Sequence, residues 1–339
     1  MERTVTVAQM ERWLADCLAH PEEITCFVMG HTAPDTDTVV SSLAEAYRRT
    51  RAGEPGVAPL VQSDRLPREI AWLLGESGGR LPLAAQPVFA RRMADEAVRF
   101  VLTDHQEEGA LTPRVIGVVD HHPQLPGVIL PADSEVRTVG AATSLVALRW
   151  QRAGLVPEAP VARWLLGAVL ADTEGLSPSK TRPEDAAAAR WLTALAETDP
   201  TALFVALREQ LLAESDSDLE TLFRRDYRSF AGLGFAILKV RAGAPVDIPA
   251  LKALLETDRR QQGHRLCLAK VARYGDAGLR EEIYYIAAAT PEKAARALAV
   301  LQEAAAGTAQ LSADGGLYIA PDGKHLSRKR LVPLLLAEK

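Results

Sequence analysis

Short, unbroken apolar runs alternate with longer stretches of helical spacing through the first half of the chain. The runs at 24–29, 98–102 and 115–119 are too short for helices and rich in β-branched and aromatic residues, which predicts buried strands. Apolar positions three and four apart predict helices over 38–51, 140–152 and 161–171, followed by an alanine-rich helix over 183–195. Strand followed by helix, repeated, is the pattern of an α/β fold with a doubly wound, mainly parallel sheet. A boundary is expected within 209–218, where Ala213-Glu214-Ser215-Asp216-Ser217-Asp218 is polar and loop-like. This places one domain over 1–210 and a second, smaller α/β domain over 215–339. The second is read as strands near 234–240, 265–271 and 282–288, with helices near 248–257 and 291–305. No internal repeat is visible.

Composition narrows the class. With 339 residues, 47% of them hydrophobic, the chain can bury two cores. Its net charge of -5 argues against a surface that coats nucleic acid, so any bound anion must meet a local basic patch. No apolar run approaches the ~18 residues of a membrane span, and no membrane partner is expected. Residues 1–10 lack the apolar core of a secretory leader, and Cys17, Cys26 and Cys267 have no metal-like spacing. These features predict a cytoplasmic protein.

Candidate chemistry gathers at the ends of the predicted strands, where open α/β sheets collect ligands. The first cluster is Gly30-His31-Thr32-Ala33-Pro34-Asp35-Thr36-Asp37-Thr38. One imidazole and two carboxylates on a short loop suit hard or borderline cations, although Asp37 or Thr38 could equally cap the next helix. The second is Asp104-His105-Gln106, where a lone strand-end Asp also serves as a turn residue. The third is Asp120-His121-His122; neighbouring side chains diverge, so one His can ligate a metal while the other reaches a substrate. The fourth is Asp172, at the end of an apolar helix, where the dipole disfavours a carboxylate unless a cation compensates. His31, Asp35, Asp37, Asp104, His121 and Asp172 together make a cysteine-free set suited to Mn²⁺ or Mg²⁺, with one carboxylate shared between two metals. A basic segment, Lys324-His325-Leu326-Ser327-Arg328-Lys329-Arg330, together with Arg224, Arg225 and Arg228, offers forks for phosphate, or else a solvated tail.

These motifs, in this order, resemble the DHH phosphoesterase superfamily, and more narrowly its manganese-dependent inorganic pyrophosphatase branch (family II). The resemblance runs from about residue 22 to the C-terminal Ser327-Arg328-Lys329. It implies a catalytic DHH domain holding two Mn²⁺, with Mg²⁺ or Co²⁺ as substitutes and a further Mg²⁺ arriving with substrate. A DHHA2-type domain would close over the cleft. Carried over residue by residue, one metal would take His31, Asp35 and Asp104, and the other Asp37, Asp104, His121 and Asp172. Asp104 would bridge them, Asp120 would support the ligands, and His105 and His122 would face the substrate. Arg328 and Lys329 match the family's phosphate-binding pair, and Arg228 stands where a phosphate-binding Lys is usual. Gln106 replaces the usual Asn, and the basic loop is one residue shorter than in the family.

The activity implied is hydrolysis of pyrophosphate to two phosphates, by in-line attack of hydroxide held between two metals, with Asp37, Asp104 and His122 as the catalytic residues. A short-chain polyphosphatase, a nucleotide-polyphosphate hydrolase and a catalytically silent phosphate sensor are the rival readings. Enzymes of this superfamily that cut short RNA or cyclic dinucleotides carry a Gly-Gly-His element, which is absent here: Gly315-Gly316 precedes Leu317. The family also suggests a homodimer.

Overall fold

The computed structural model describes residues 3–106, 109–124, 127–275, 278–306, 308–319 and 326–337, with the backbone alone at 3, 214, 216 and 329. The chain divides into two compact units, Met1–Leu211 and Leu212–Lys339.

The first unit opens with a short strand, β1 (Arg3–Val5), and a helix, α1 (Val7–Ala19), which begins on a capping box made by Thr6 and Gln9. The main sheet follows: β2 (Cys26–Met29), β3 (Val57–Leu60), β4 (Arg99–Thr103), β5 (Val115–Asp120) and β6 (Asp133–Val136), in the order β3-β2-β4-β5-β6. Every neighbouring pair is parallel, which is the doubly wound arrangement expected from the alternating pattern. The runs expected at 24–29, 98–102 and 115–119 form β2, β4 and β5. The two outer strands had no such signal. β3 is four residues long and contains Pro59, which lacks the amide needed in a central strand and is tolerated at an edge. β6, Asp-Ser-Glu-Val, has no fully buried residue.

Winding reverses between β2 and β4, because the chain leaves β2 for β3 on one side and returns to place β4 on the other. The carboxyl ends of those two strands are therefore the topological switch point, where an open α/β sheet leaves a crevice. Helix α2 (Thr36–Arg51) starts there and is buried along most of its length, against α3 (Ala142–Arg152) and α4 (Ala159–Asp172). Several of its buried polar groups have close partners: the Ser42 hydroxyl lies 2.7 Å from Thr103 Oγ1, and Glu45 receives Arg48, Arg49 and Arg149. Trp150 is fully buried and donates its indole N–H to the Ala44 carbonyl at 3.0 Å, and Trp164 is also buried. Strand β1 pairs in parallel with β7 (Leu155–Pro157), so the N-terminal residues close onto the chain between α3 and α4. Helix α5 (Pro183–Ala196) packs on α4.

The second unit is a six-stranded mixed sheet: β8 (Tyr227–Phe230), β9 (Leu233–Arg241), β10 (Leu266–Gly275), β11 (Gly278–Ala288), β12 (Ala309–Leu311) and β13 (Leu317–Ile319), ordered β12-β13-β11-β10-β9-β8. Among the described residues only β9 and β10 run parallel. Side chains alternate between two cores. Leu251 and Leu255 of α6 (Ile248–Gln261) pack with Ala236 and Leu238 on one face. Leu301 of α7 (Pro291–Ala304) and Leu331 of α8 (Arg328–Leu336) pack with Leu233 and Phe235 on the other. Among the described residues no helix is long and apolar enough to cross a membrane.

Candidate metal centre

Three loops leave the carboxyl ends of β2, β4 and β5, and each delivers ligand-type side chains to one place. After β2 comes Gly30, where a Cβ would lie 2.1 Å from Thr38 Cγ2, so the loop packs on α2 only with glycine there. Asp35 caps α2, accepting from the Thr38 amide at 2.9 Å. The capping role therefore belongs to Asp35, where the sequence had suggested Asp37 or Thr38, and the other Asp35 oxygen lies 3.5 Å from His31 Nε2. Thr38 donates its hydroxyl to Asp104 Oδ2 at 2.6 Å and lies 2.6 Å from His31 Nε2.

Asp104 follows β4 with φ 61°, a left-handed conformation that Asp tolerates better than most residues. Its two oxygens face opposite ways: Oδ2 lies 3.0 Å from His31 Nε2, and Oδ1 lies 2.9 Å from His121 Nε2. His121 follows β5. Its Nδ1 lies 3.2 Å from the Val139 carbonyl, to which only an N–H can bond, so Nδ1 carries a proton and the ring is held with Nε2 toward the cluster. That Nε2 is 3.5 Å from Asp172 Oδ2 and 3.9 Å from Asp37 Oδ2. Asp172 is the last residue of α4, as its apolar run predicts.

Asp37 also closes another helix. α3 has no side-chain cap of its own, and the Asp37 carboxylate accepts the Ala142 and Thr143 amides at 2.6 and 2.8 Å. Asp120 ends β5 and accepts from His122 Nδ1 at 2.7 Å and from the His121 amide at 2.8 Å, while Gln106 Nε2 donates to its other oxygen at 2.7 Å. The same Gln106 amide reaches the Pro123 carbonyl at 3.0 Å. His105 Nδ1 lies 3.0 Å from the Thr103 carbonyl, and its ring stands edge-on to His31 at 6.5 Å between centroids.

Two ligand-type groups result, His31–Asp35–Asp104 and Asp37–His121–Asp172, each with donor atoms within 4.8 Å of one another; Asp104 with Asp120, His121 and His122 forms a third. The donors are imidazole nitrogens and carboxylate oxygens without sulfur, which fits hard or borderline divalent cations. Electrostatics point the same way. Burial pushes the Asp37 carboxyl well above its ordinary range, and the neighbouring Asp104 and Asp172 push it further. Burial acts likewise on Asp104, but bonds from His121 and His31 outweigh it and hold that carboxyl well below its ordinary range. Asp120 is brought down to about 2, because His122 outweighs the cost of burial. Four carboxylates gathered here, Asp37 and Asp104 of them buried, offer more negative charge than two imidazoles balance, and bound cations would relieve the excess.

Thr38 and Gln106 are the site residues whose contacts the sequence did not disclose. Thr38 sits inside a recognised ligand loop, but spacing does not say that a hydroxyl joins two ligands. Gln106 stood out only as a substitution for the usual Asn.

In the second unit, Arg228 lies on β8 and Arg328 opens α8. Arg328 bonds to the Asp226 carboxylate, donates to the Asp226 carbonyl at 2.9 Å and lies over the Phe235 ring. Burial raises the Asp226 carboxyl, but Arg328, Lys239 and Arg228 outweigh it and hold it below the ordinary range. The Lys329 side chain, Lys324 and His325 lie outside the described residues.

No protein-family model matches the chain. Curated relatives do. A probable manganese-dependent inorganic pyrophosphatase of Deinococcus radiodurans is 30% identical over 213 residues, covering 60% of this chain and 64% of that protein. Another probable manganese-dependent inorganic pyrophosphatase, from Streptococcus mutans, is 29% identical over 178 residues, covering 51% of this chain and 56% of that protein. The chain thus spans roughly three fifths of the length of these relatives. The chain shares its fold with a candidate family II inorganic pyrophosphatase of Methanococcus jannaschii, at a TM-score of 0.69 and 17% identity, over 91% of this chain and 98% of that one. The resemblance read from the motifs and the expected α/β class are both borne out.

Proposed function

We propose that the protein hydrolyses inorganic pyrophosphate to two phosphates with the help of two divalent cations, Mn²⁺ in the first place. One observation carries this reading: Asp104 points one oxygen at His31 and the other at His121, between two acidic groups. A carboxylate so placed can serve two cations at once. His31, Asp35 and Asp104 would hold one, and Asp37, Asp104, His121 and Asp172 the other. The names of the two curated relatives support the substrate and the metal.

Cations bound there lower the pKa of coordinated water and neutralise charge on phosphate oxygens. The protein's own groups do the rest. Val139 orients His121, and Asp120 orients His122 through Nδ1, with His122 assigned to a phosphate oxygen of the substrate. Gln106 holds Asp120 in place from the far side. Arg228 and Arg328 supply planar cationic forks for the anion, with Lys329 and His105 assigned to the same task. The second unit is the substrate-binding domain in this reading, and the first is the catalytic one.

The test is phosphate release by metal-stripped protein reloaded with Mn²⁺ or Mg²⁺, with pyrophosphate, tripolyphosphate, long-chain polyphosphate and a dinucleotide run in parallel. Mn²⁺-dependent turnover of pyrophosphate well above the longer chains is the expected result. A preference for tripolyphosphate or longer chains would replace pyrophosphate as the substrate, and silence on all four would leave a phosphate-binding sensor.

A further inference from the structure

Far from the candidate metal ligands in sequence, the second unit buries a lysine and a glutamate that the proposed reaction does not use. Lys270 on β10 and Glu282 on β11 are 1% and 2% exposed and form an ion pair. Tyr284 stands directly opposite Lys270 across the two strands, with Glu282 diagonal to it, so all three share one face of the sheet. Two donors from this group converge on one backbone atom: Lys270 Nζ donates to the Leu326 carbonyl at 3.1 Å, and the Tyr284 hydroxyl lies 3.2 Å from it. The same hydroxyl is 3.2 Å from Glu282 Oε2, and its single proton serves one acceptor at a time.

Leu326 is itself fully buried, and the next residue, Ser327, is the cap of α8, whose first residue is Arg328. A buried ion pair is a poor source of stability, because removing two charges from water costs about as much as their attraction returns. What this pair does supply is a charged donor fixed on a rigid strand and aimed at one carbonyl. We infer that Lys270 and Glu282 are positioning residues: they pin the Leu326 carbonyl and thereby set the start of α8 and the direction of Arg328. The inference rests on the reading that Arg328 takes a phosphate of the substrate.

The test is a double-mutant cycle on the full chain, pairing Arg328→Ala with K270M/E282L, which removes both buried charges together and leaves neither orphaned. The expected result for K270M/E282L is a melting temperature no lower than wild type, unchanged Mn²⁺ binding, and a KM for pyrophosphate raised roughly tenfold, the worth of one charge-assisted hydrogen bond. In the Arg328→Ala background the same pair of substitutions should add almost nothing to KM, because the group being positioned is gone. A raised KM in Arg328→Ala with an unchanged KM in K270M/E282L overturns the positioning role and leaves the function standing. Fully additive effects, or a loss of stability with no change in KM, overturn it as well. If Arg328→Ala itself leaves KM unchanged, both the role of Arg328 and this inference fall, while Mn²⁺-dependent turnover still stands as a separate result. Should K270M/E282L not fold, Tyr284→Phe removes one donor to the same carbonyl and keeps the ion pair. It should raise KM in the same direction and speed amide exchange at residues 327–331, and no change in either would count against the proposal.

Discussion

Asp104 carries the most weight of any single residue. It is buried, holds a left-handed backbone, touches His31 with one oxygen and His121 with the other, and accepts from Thr38 as well. Asp104→Ala should abolish binding of at least one cation, measured by equilibrium dialysis with Mn²⁺. Turnover should fall by at least ~100-fold, the upper range for losing even an outer partner of a metal site. Gln106 acts one step further out. Gln106→Ala frees the Asp120 oxygen that it holds, so His122 loses its fixed orientation, and activity should drop by about 10- to 100-fold with the fold intact by circular dichroism. The contrast between these two residues also marks how far sequence reading reached. Asp104 was legible because an Asp at the end of an apolar strand, beside two similar clusters, forms a pattern. The grip of Gln106 on Asp120 spans 14 positions, and no local rule encodes it.

At the scale of elements, the site depends on how loops and helix ends meet. Gly30 lets the first loop lie against α2, and Gly30→Ala would force its Cβ into Thr38. That substitution should lower stability by about 1–3 kcal/mol in urea unfolding and weaken Mn²⁺ binding through His31. A second expectation concerns β6, the edge strand. Burial raises the Glu135 carboxyl, but Arg149 and Arg152 outweigh it and hold it below its ordinary value of 4.5. A carboxylate depressed in the folded state contributes stability that is present above that value and lost as pH falls through it toward the folded one. Unfolding followed from pH 6 downward should therefore show a loss that Glu135→Gln makes smaller, the remainder belonging to other depressed carboxylates such as Asp104, Asp120 and Asp226, and identical pH profiles for the two proteins would contradict the assignment. The central elements of both units were readable because buried parallel strands and amphipathic helices leave periodic signals. β3, β6, β8, β12 and β13 were not, being short, edge-placed or interrupted by Pro59, with their pairing decided by the sheet around them.

For the molecule as a whole, strand order turns scattered motifs into a site. The reversal between β2 and β4 puts the His31 and Asp104 loops at one crevice, and β5 beside β4 adds His121 and His122. α4 and α2 then bring Asp172 and Asp37 within reach of His121. The central claim is that this crevice holds two cations and needs both for turnover. It is tested most directly by titrating metal-stripped protein with Mn²⁺ while following bound metal and phosphate release from pyrophosphate in the same samples. Two Mn²⁺ per chain, with activity rising as the second is taken up, is the predicted result. Full activity at one Mn²⁺ per chain, or two bound without hydrolysis, would contradict it.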